Sequence, residues 1–360
     1  MKRNAFCLSV SLLLLLFTGY WVSPAPGHAA ATAYYKGKTL DIIAGGGVGG
    51  GTDTMARIVA SVMPKHIPGN PGVVVRAMPG ASGGVAANVF YAKGKPDGLH
   101  LMMATSSALS LQMKKRDIVQ YDLTKFEFIG HANRGSNLLM VRKAALKRMY
   151  DPTAAPVVCG TEEGEESWMA MALWGRELLG WNIRWITGFT GAADIEMAFQ
   201  RGEVDMFGTS NAFIIRRLQE EGLVSLLSQG GIYRNKVFHR RADFPDIPTF
   251  VEVLDKKKPT GIAWQAYLAW LGGNFVDKFL VAPRTTPTKH VTVLRTAFEK
   301  MSKDQKFNEL MKKMVSETYD VGVGRETVDL VNEVLSSPPA ALDFGRNLQI
   351  KYGVLAAKKK

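Results

Sequence analysis

Short apolar runs along the chain are followed by glycine-rich or polar junctions and then by apolar residues at helical spacing. Leu40, Ile42 and Ile43 form a partly β-branched run bounded by glycine, the pattern of a buried strand. Met55, Ile58, Val59, Val62 and Met63 then recur every three or four residues, which predicts a helix with Thr52 and Asp53 as N-cap residues. Between them lie six glycines in seven residues, Gly45, Gly46, Gly47, Gly49, Gly50 and Gly51, interrupted by Val48. Such a loop brings backbone N–H groups to the positive end of a helix dipole, where a phosphate or carboxylate is stabilised. The same composition also suits a plain flexible connection.

The unit recurs. Val73 to Val75 predict a strand, Pro79-Gly80-Ala81-Ser82-Gly83-Gly84 a loop, and Val85 to Tyr91 a helix. Lys95-Pro96-Asp97-Gly98 is a turn before a strand from Leu99 to Ala104 that runs into Thr105, Ser106 and Ser107. Leu138 to Val141 is a further apolar run. In mid-chain, Pro156 to Cys159 predict a strand, Gly160 to Glu165 a loop, and Ser167 to Leu179 a helix. Alternating strands and helices imply an α/β class with largely parallel sheets, whose ligands bind beyond the carboxyl ends of the strands. The apolar stretch from Ile262 to Phe279 holds Gln265 and a Gly272-Gly273-Asn274 breaker, so it reads as packed core elements.

Composition adds an address. Lys2 and Arg3 precede an apolar run to Phe17, and small residues end at Ala29-Ala30-Ala31-Thr32-Ala33, the pattern of a secretory signal peptide cleaved after Ala31 or Ala33. An uncleaved anchor is the alternative. Export would remove Cys7 and leave Cys159 alone, so no intramolecular disulfide is expected. The formal net charge of +13 falls by two to +11 without the leader, which suits anionic ligands or membrane surfaces. Lys358 to Lys360 read as a solvated end.

Catalytic signatures are sparse. Gly45-Gly46-Gly47-Val48-Gly49-Gly50 satisfies G-x-G-x-x-G after a strand, with Arg76 where a dinucleotide site would want an acid; an arginine there would suit an NADP phosphate. No lysine follows the glycines, so the P-loop fails. The six histidines, His28, His66, His100, His131, His239 and His290, show no H-E-x-x-H or paired spacing. Cys159 reads as an inert core residue, and Gly208-Thr209-Ser210-Asn211 as a polar strand end.

The motifs taken together resemble the Bug family, the extracytoplasmic solute receptors of tripartite tricarboxylate transporters. Gly49-Gly50-Gly51-Thr52-Asp53 with Ala56-Arg57 is similar to the family's G-G-x-T-D-x-x-A-R, Pro79 to Gly83 to its second loop, and Pro96-Asp97-Gly98 to its P-D-G turn. Gly188-Phe189-Thr190-Gly191, Gly202-Glu203-Val204-Asp205, Ile247-Pro248-Thr249-Phe250-Val251-Glu252 and Ala282-Pro283-Arg284-Thr285-Thr286-Pro287 follow in the family's order.

The resemblance implies a two-domain periplasmic binding protein of the type II, Venus-flytrap class. Residues 34–140 and 229–360 would form the first domain and 141–228 the second, with hinge segments at Leu138 to Val141 and Val224 to Ser228. It implies a monomeric, non-enzymatic receptor without cofactor, metal or nucleic-acid partner. Such a receptor would close on a small organic acid or amino-acid-like ligand and deliver it to the membrane subunits of the transporter. The implied ligand-binding residues are Gly45, Gly46, Gly47, Val48, Gly49, Gly50, Gly51 and Thr52 with Thr105, Ser106 and Ser107. Thr161, Glu162, Phe189, Thr190 and Gly191 would face them from the second domain, with Phe189 either stacking on the ligand or packed in the core, and Asp53 capping its helix. The sequence departs from the family at Gly45-Gly46, at Arg76-Ala77, which would add a cation near the cleft, and at Gly160-Thr161-Glu162-Glu163-Gly164-Glu165-Glu166. Those acids either stabilise a helix N-terminus from solvent or place Glu162 or Glu163 in the cleft. A sensor presenting ligand to a membrane kinase shares every feature, and an exported NADP-binding or hydrolytic enzyme is the alternative of another class.

Overall fold

A computed structural model describes residues 34–114, 117–133, 135–234, 237–272 and 276–355. The expected signal segment, the Gly273-Asn274 breaker and the Lys358 to Lys360 tail lie outside the described residues. Among the described residues, no helix is long and apolar enough to cross a membrane.

Two sheets share one topology. The first is built from β1 (Thr39–Ala44), β2 (Gly72–Ala77), β3 (His100–Thr105) and β4 (Glu127–Asn133). The second is built from β5 (Leu138–Arg142), β6 (Val157–Gly160), β7 (Ile183–Ile186), β8 (Met206–Thr209) and β9 (Val224–Gln229). A separate hairpin pairs β10 (Ile232–Arg234) with β11 (Val237–His239), and β12 (Lys278–Ala282) and β13 (Asp320–Val323) return to the first sheet. The orders are β13-β4-β12-β3-β1-β2 and β7-β6-β8-β5-β9. In each sheet three parallel strands lie together and the strand order reverses at the central one, β1 or β6, and the next strand, β12 or β5, runs antiparallel to its neighbours. That antiparallel strand is the one by which the chain arrives from the other lobe.

The predicted strands and helices of the first half stand within a few residues of their expected ends. The helix of the opening unit is Gly51–Val62 with Gly50 as its N-cap, so Thr52 and Asp53 sit in its first turn instead of before it. The apolar stretch from Ile262 divides into the helix Gly261–Leu271 and the start of β12.

The expected domain limits and hinge need correction. The helix Phe250–Leu254 packs beside β9 and the helix Met169–Leu179, and the helices Gly261–Leu271 and Pro339–Lys351 pack on each other and on Met169–Leu179, all on the second lobe. The chain thus rejoins the first lobe at about β12 and leaves it again for its last helix. The physical reason is aromatic: the buried Trp174, Tyr267 and Trp270 and the half-buried Phe344 form one cluster with ring centroids 5.8 to 6.4 Å from Trp174. Leu138 to Val141 and Val224 to Ser228 are paired neighbours within the second sheet. The passages between sheets are instead the residues between β4 and β5 and those just before β12.

Cys159 is fully buried at the end of β6, and burial, with the nearby Glu166 carboxylate, raises its thiol well above the ordinary range. Alkylation of the native protein followed by peptide mapping is expected to leave Cys159 unmodified, and denaturant to expose it fully. Rapid native modification would contradict this packing.

Candidate functional site

Ligands of open α/β sheets bind where strand order reverses, outside the carboxyl ends of the strands. Here that point occurs twice, after β1 and β3 in one lobe and after β6 and β8 in the other, and the two face each other across a cleft. A cavity of about 110 Å³ there is lined from the first lobe by Gly49 to Thr52 and Thr105 to Ser107. The second lobe contributes Glu162, Glu166, Ser167, Trp168, Ala192, Ala193, Glu196, Thr209 and Asn211, and the passages between lobes contribute Asn137, Asp277 and Lys278. A contiguous inner cavity of about 40 Å³ adds Gly45, Gly46, Gly47, Ser82 and Gly191.

Four helices begin at this cleft. Their N-caps are Gly50 and Thr105 in the first lobe and Gly191 and Asn211 in the second. The first-turn N–H groups of a helix have no intrahelical acceptor, and their aligned dipoles favour an anion. Much of this capacity is used internally: the Ser106 N–H donates to the Asp277 carbonyl and the Ser107 N–H to the Thr105 hydroxyl, while the Ala212 N–H donates to the Val315 carbonyl and the Phe213 and Ile214 N–H groups to the Asn211 amide oxygen. The open first-turn groups are therefore chiefly those after Gly50 and Gly191. Asp53 is 2% exposed and accepts from the Gly49 N–H and from Arg57, both at 2.9 Å, which ties down the glycine loop from behind. Gly49 has φ +75°, a left-handed conformation that favours glycine, whereas Gly50 has φ −69° and ψ 166°. The lobes nearly touch at the inner end, where a Cβ built on Gly191 would lie 3.4 Å from the Gly47 nitrogen.

The acidic loop after β6 is a built structure. Glu166 accepts from the Thr161 hydroxyl at 2.6 Å and from the Glu162 N–H at 2.7 Å. Thr161, fully buried, in turn accepts from the Gly164 N–H. Glu165 turns inward and pairs with Lys114 at 2.6 Å, with the ammonium 3.6 Å above the Trp270 ring. Glu162 remains beside the cavity. Burial chiefly, and then the Glu166 carboxylate, push its carboxyl up to about 8, against the opposing influence of the Ser82 hydroxyl and the Lys278 ammonium. Lys278 is itself paired with Asp277 at 2.5 Å, and Glu196 with Arg217.

Of the residues expected in the site, the cavities bring together Gly45 to Gly47, Gly49 to Gly51, Thr52, Thr105, Ser106, Ser107, Glu162 and Gly191. Four others are placed elsewhere. Val48 is 73% exposed at the tip of the loop. Thr161 supports Glu166 from within the lobe, and the Phe189 ring packs over Gly160. Thr190 donates to Asp194 at the start of its helix. Arg76 is not a cleft cation: it lies on the exposed face of β2 and forms an ion pair with Asp41 of β1. Arg76→Ala is therefore expected to leave ligand affinity unchanged within about twofold and to cost no more than about 1 kcal/mol of stability, measured by titration and thermal unfolding. A tenfold loss of affinity would return Arg76 to the site.

Sequence reasoning missed Ser82, Asn137, Glu196, Asp277 and Lys278. The left-handed φ of Ser82, 50°, has no local sequence signal, and Asp277-Lys278 stood at the end of an apolar run that read as core.

No protein-family model and no curated protein matches this sequence. Solved structures do resemble the fold. The periplasmic binding protein BugD is similar at a TM-score of 0.65 and 19% identity, over 88% of this chain and 99% of that one. MatC from Rhodopseudomonas palustris, solved with bound malate, is similar at a TM-score of 0.61 and 19% identity, over 85% and 99%. An R. palustris protein solved with adipate is similar at 0.62 and 19%, over 88% and 97%. The chain has the two-lobed fold of periplasmic binding proteins.

Proposed function

We propose that this chain is an extracytoplasmic solute receptor of the Bug type, which encloses a small carboxylate-bearing ligand between its lobes and hands it to the membrane subunits of a tripartite tricarboxylate transporter. One observation carries the reading: four helix N-termini, two from each lobe, meet at a single cleft bordered by the glycine loop. The carboxylate would lie against the N–H groups of Gly51 and Thr52, the Gly50 N–H being already bonded to the Gly47 carbonyl, with the hydroxyls of Thr105 and Ser107 beside it. The second lobe would close over it from Gly191 and Asn211. Contacts from both lobes make the closed arrangement the one the ligand stabilises, so closure is a population shift driven by binding. Malate in MatC and adipate in the second R. palustris protein are dicarboxylates, which supports an acid as the class of ligand.

The expected leader places the mature protein in the periplasm, where free nicotinamide cofactor is scarce, and the glycine loop is read as an anion cradle without catalysis. Calorimetric titration with small carboxylic acids, followed by recovery of the ligand, tests this. Stoichiometric binding with the acid recovered unchanged supports the receptor. Conversion of the acid, or binding of NADP in its place, would make the protein an enzyme.

A further inference from the structure

We propose that the cleft selects a ligand carrying an ammonium group beside its carboxylate, an amino-acid-like zwitterion, and that Glu162 and Ser82 form the subsite that reads the ammonium. This rests on the carboxylate-receptor reading and narrows it.

Charge is the first ground. The cavity walls carry the carboxyl groups of Glu162, Glu166, Glu196 and Asp277 against the ammonium of Lys278. Lys278 is ion-paired with Asp277 and Glu196 with Arg217, so neither offers an uncompensated charge to a ligand. Glu166 is held by Thr161 and the Glu162 backbone. The Glu162 side chain, which forms no ion pair among the described residues, is the acid left to answer a ligand group. A second ligand carboxylate placed there would meet Glu162, Glu166 and the neighbouring Glu163, with the Lys278 charge already compensated. An ammonium would meet an acceptor instead.

The second ground is independent of charge. Ser82 lies across the cleft from Glu162, is 3% exposed, and lines the inner cavity. Its hydroxyl is close enough to the Glu162 carboxyl to favour the carboxylate but makes no well-formed hydrogen bond among the described residues, and its backbone is held at φ 50°, next to Ala81 at φ 44°. A buried hydroxyl without a well-formed bond and a left-handed non-glycine backbone are both costly, and such strain gathers where a ligand completes the structure. With Glu162 opposite, the hydroxyl supplies a second acceptor for a group with several N–H donors.

The two acceptors also couple binding to a proton. The groups facing Glu162 are Glu163, Glu166, Lys278 and Ser82; burial and the two carboxylates raise its carboxyl to about 8 and favour the protonated form near neutral pH, against Lys278 and the Ser82 hydroxyl, which favour the carboxylate. An arriving ammonium favours the carboxylate, so the O–H bond of Glu162 breaks and its proton passes to solvent as the ion pair forms.

The test is calorimetry with amino acids, unbranched monoacids and α,ω-diacids of three to six carbons, at pH 7 in buffers of different ionisation enthalpy. The expected result is that the best amino acid binds at least tenfold more tightly than its deaminated acid and the matched diacid, with proton release. In Glu162→Gln and in Ser82→Gly the ratio of amino-acid to monoacid affinity should shrink severalfold, and in Glu162→Gln the proton release should vanish. A monoacid or diacid that binds as tightly as the amino acids would overturn the zwitterion subsite and leave the carboxylate receptor standing. Absence of binding by all three series would overturn both.

Discussion

Arg241→Met is expected to lower stability by about 3–5 kcal/mol, the cost of leaving one member of a buried ion pair alone. The Arg241 and Asp243 side chains are both 0% exposed and face each other in a two-bond arrangement of 2.9 and 2.6 Å. The guanidinium also donates to the Ser136 and Ser210 carbonyls at 2.8 and 2.9 Å and to the Ser316 hydroxyl at 3.1 Å. These partners belong to separate parts of the chain: the passage before β5, the end of β8, and the approach to β13. One side chain therefore clamps the place where both lobes join. Burial works to raise the Asp243 carboxyl, but Arg241 and the Ser316 hydroxyl outweigh it and hold it below the ordinary range. Without Arg241 that carboxylate would be buried and unpaired. Entropy changes of about 2 cal/mol/K per residue convert the loss into a melting-point drop of roughly 4–7 °C for a chain of this size. Arg241→Met combined with Asp243→Leu should recover much of it, because the stranded charge is then gone. A single variant that melts within 1 °C of the parent would contradict the clamp.

Nothing in the sequence around Arg241 marks it. It stands in a polar, turn-rich stretch, His239-Arg240-Arg241-Ala242-Asp243, and its neighbour Arg240 forms an ordinary exposed pair with Glu252. Local composition cannot separate two adjacent arginines of which one is buried by contacts from residues roughly 30 to 100 positions away. The same holds for Lys114 and Glu165, whose pairing spans the lobes. Strand and helix positions were legible because their signal, the spacing of apolar residues, is local. The second-lobe residence of the helices Gly261–Leu271 and Pro339–Lys351 was not, because it is decided by which aromatic rings meet.

Gly50→Leu is expected to weaken binding of the best carboxylate at least 100-fold while changing stability by less than about 1 kcal/mol. Gly50 borders both cavities and caps the helix whose first turn is proposed to hold the carboxylate. Its φ and ψ suit any residue, so no backbone strain is introduced. An added Cβ would lie 3.1 Å from the Gly47 carbonyl oxygen, close enough to require a shift of a few tenths of an ångström in the loop, and the rest of the side chain would enter the cleft. A 100-fold loss corresponds to about 2.8 kcal/mol of binding. Titration and thermal unfolding of the same variant separate the two effects; parallel loss of both would mean that Gly50 serves the fold instead.

The glycine loop and the Thr105 to Ser107 strand end were visible in the sequence because a strand, a small-residue junction and a helix form a contiguous pattern. On the second lobe the pattern was also visible, but not which of its residues turn inward. Thr161 and Phe189 occupy the right loops and point into the protein, while Glu162 and Gly191 reach the cavity. Asp277 and Lys278 reach it only because the chain returns to the first sheet at that point.

The central claim, a cleft that holds a small carboxylate without altering it, is tested most directly by native mass spectrometry. The purified protein and its Gly50→Leu variant would each be incubated with a pool of small organic and amino acids, and any retained molecule then released and identified. The account predicts one unaltered carboxylate per chain on the parent protein and none on the variant. Equal occupancy of both proteins, a retained molecule lacking a carboxylate, or recovery of a converted product would contradict it.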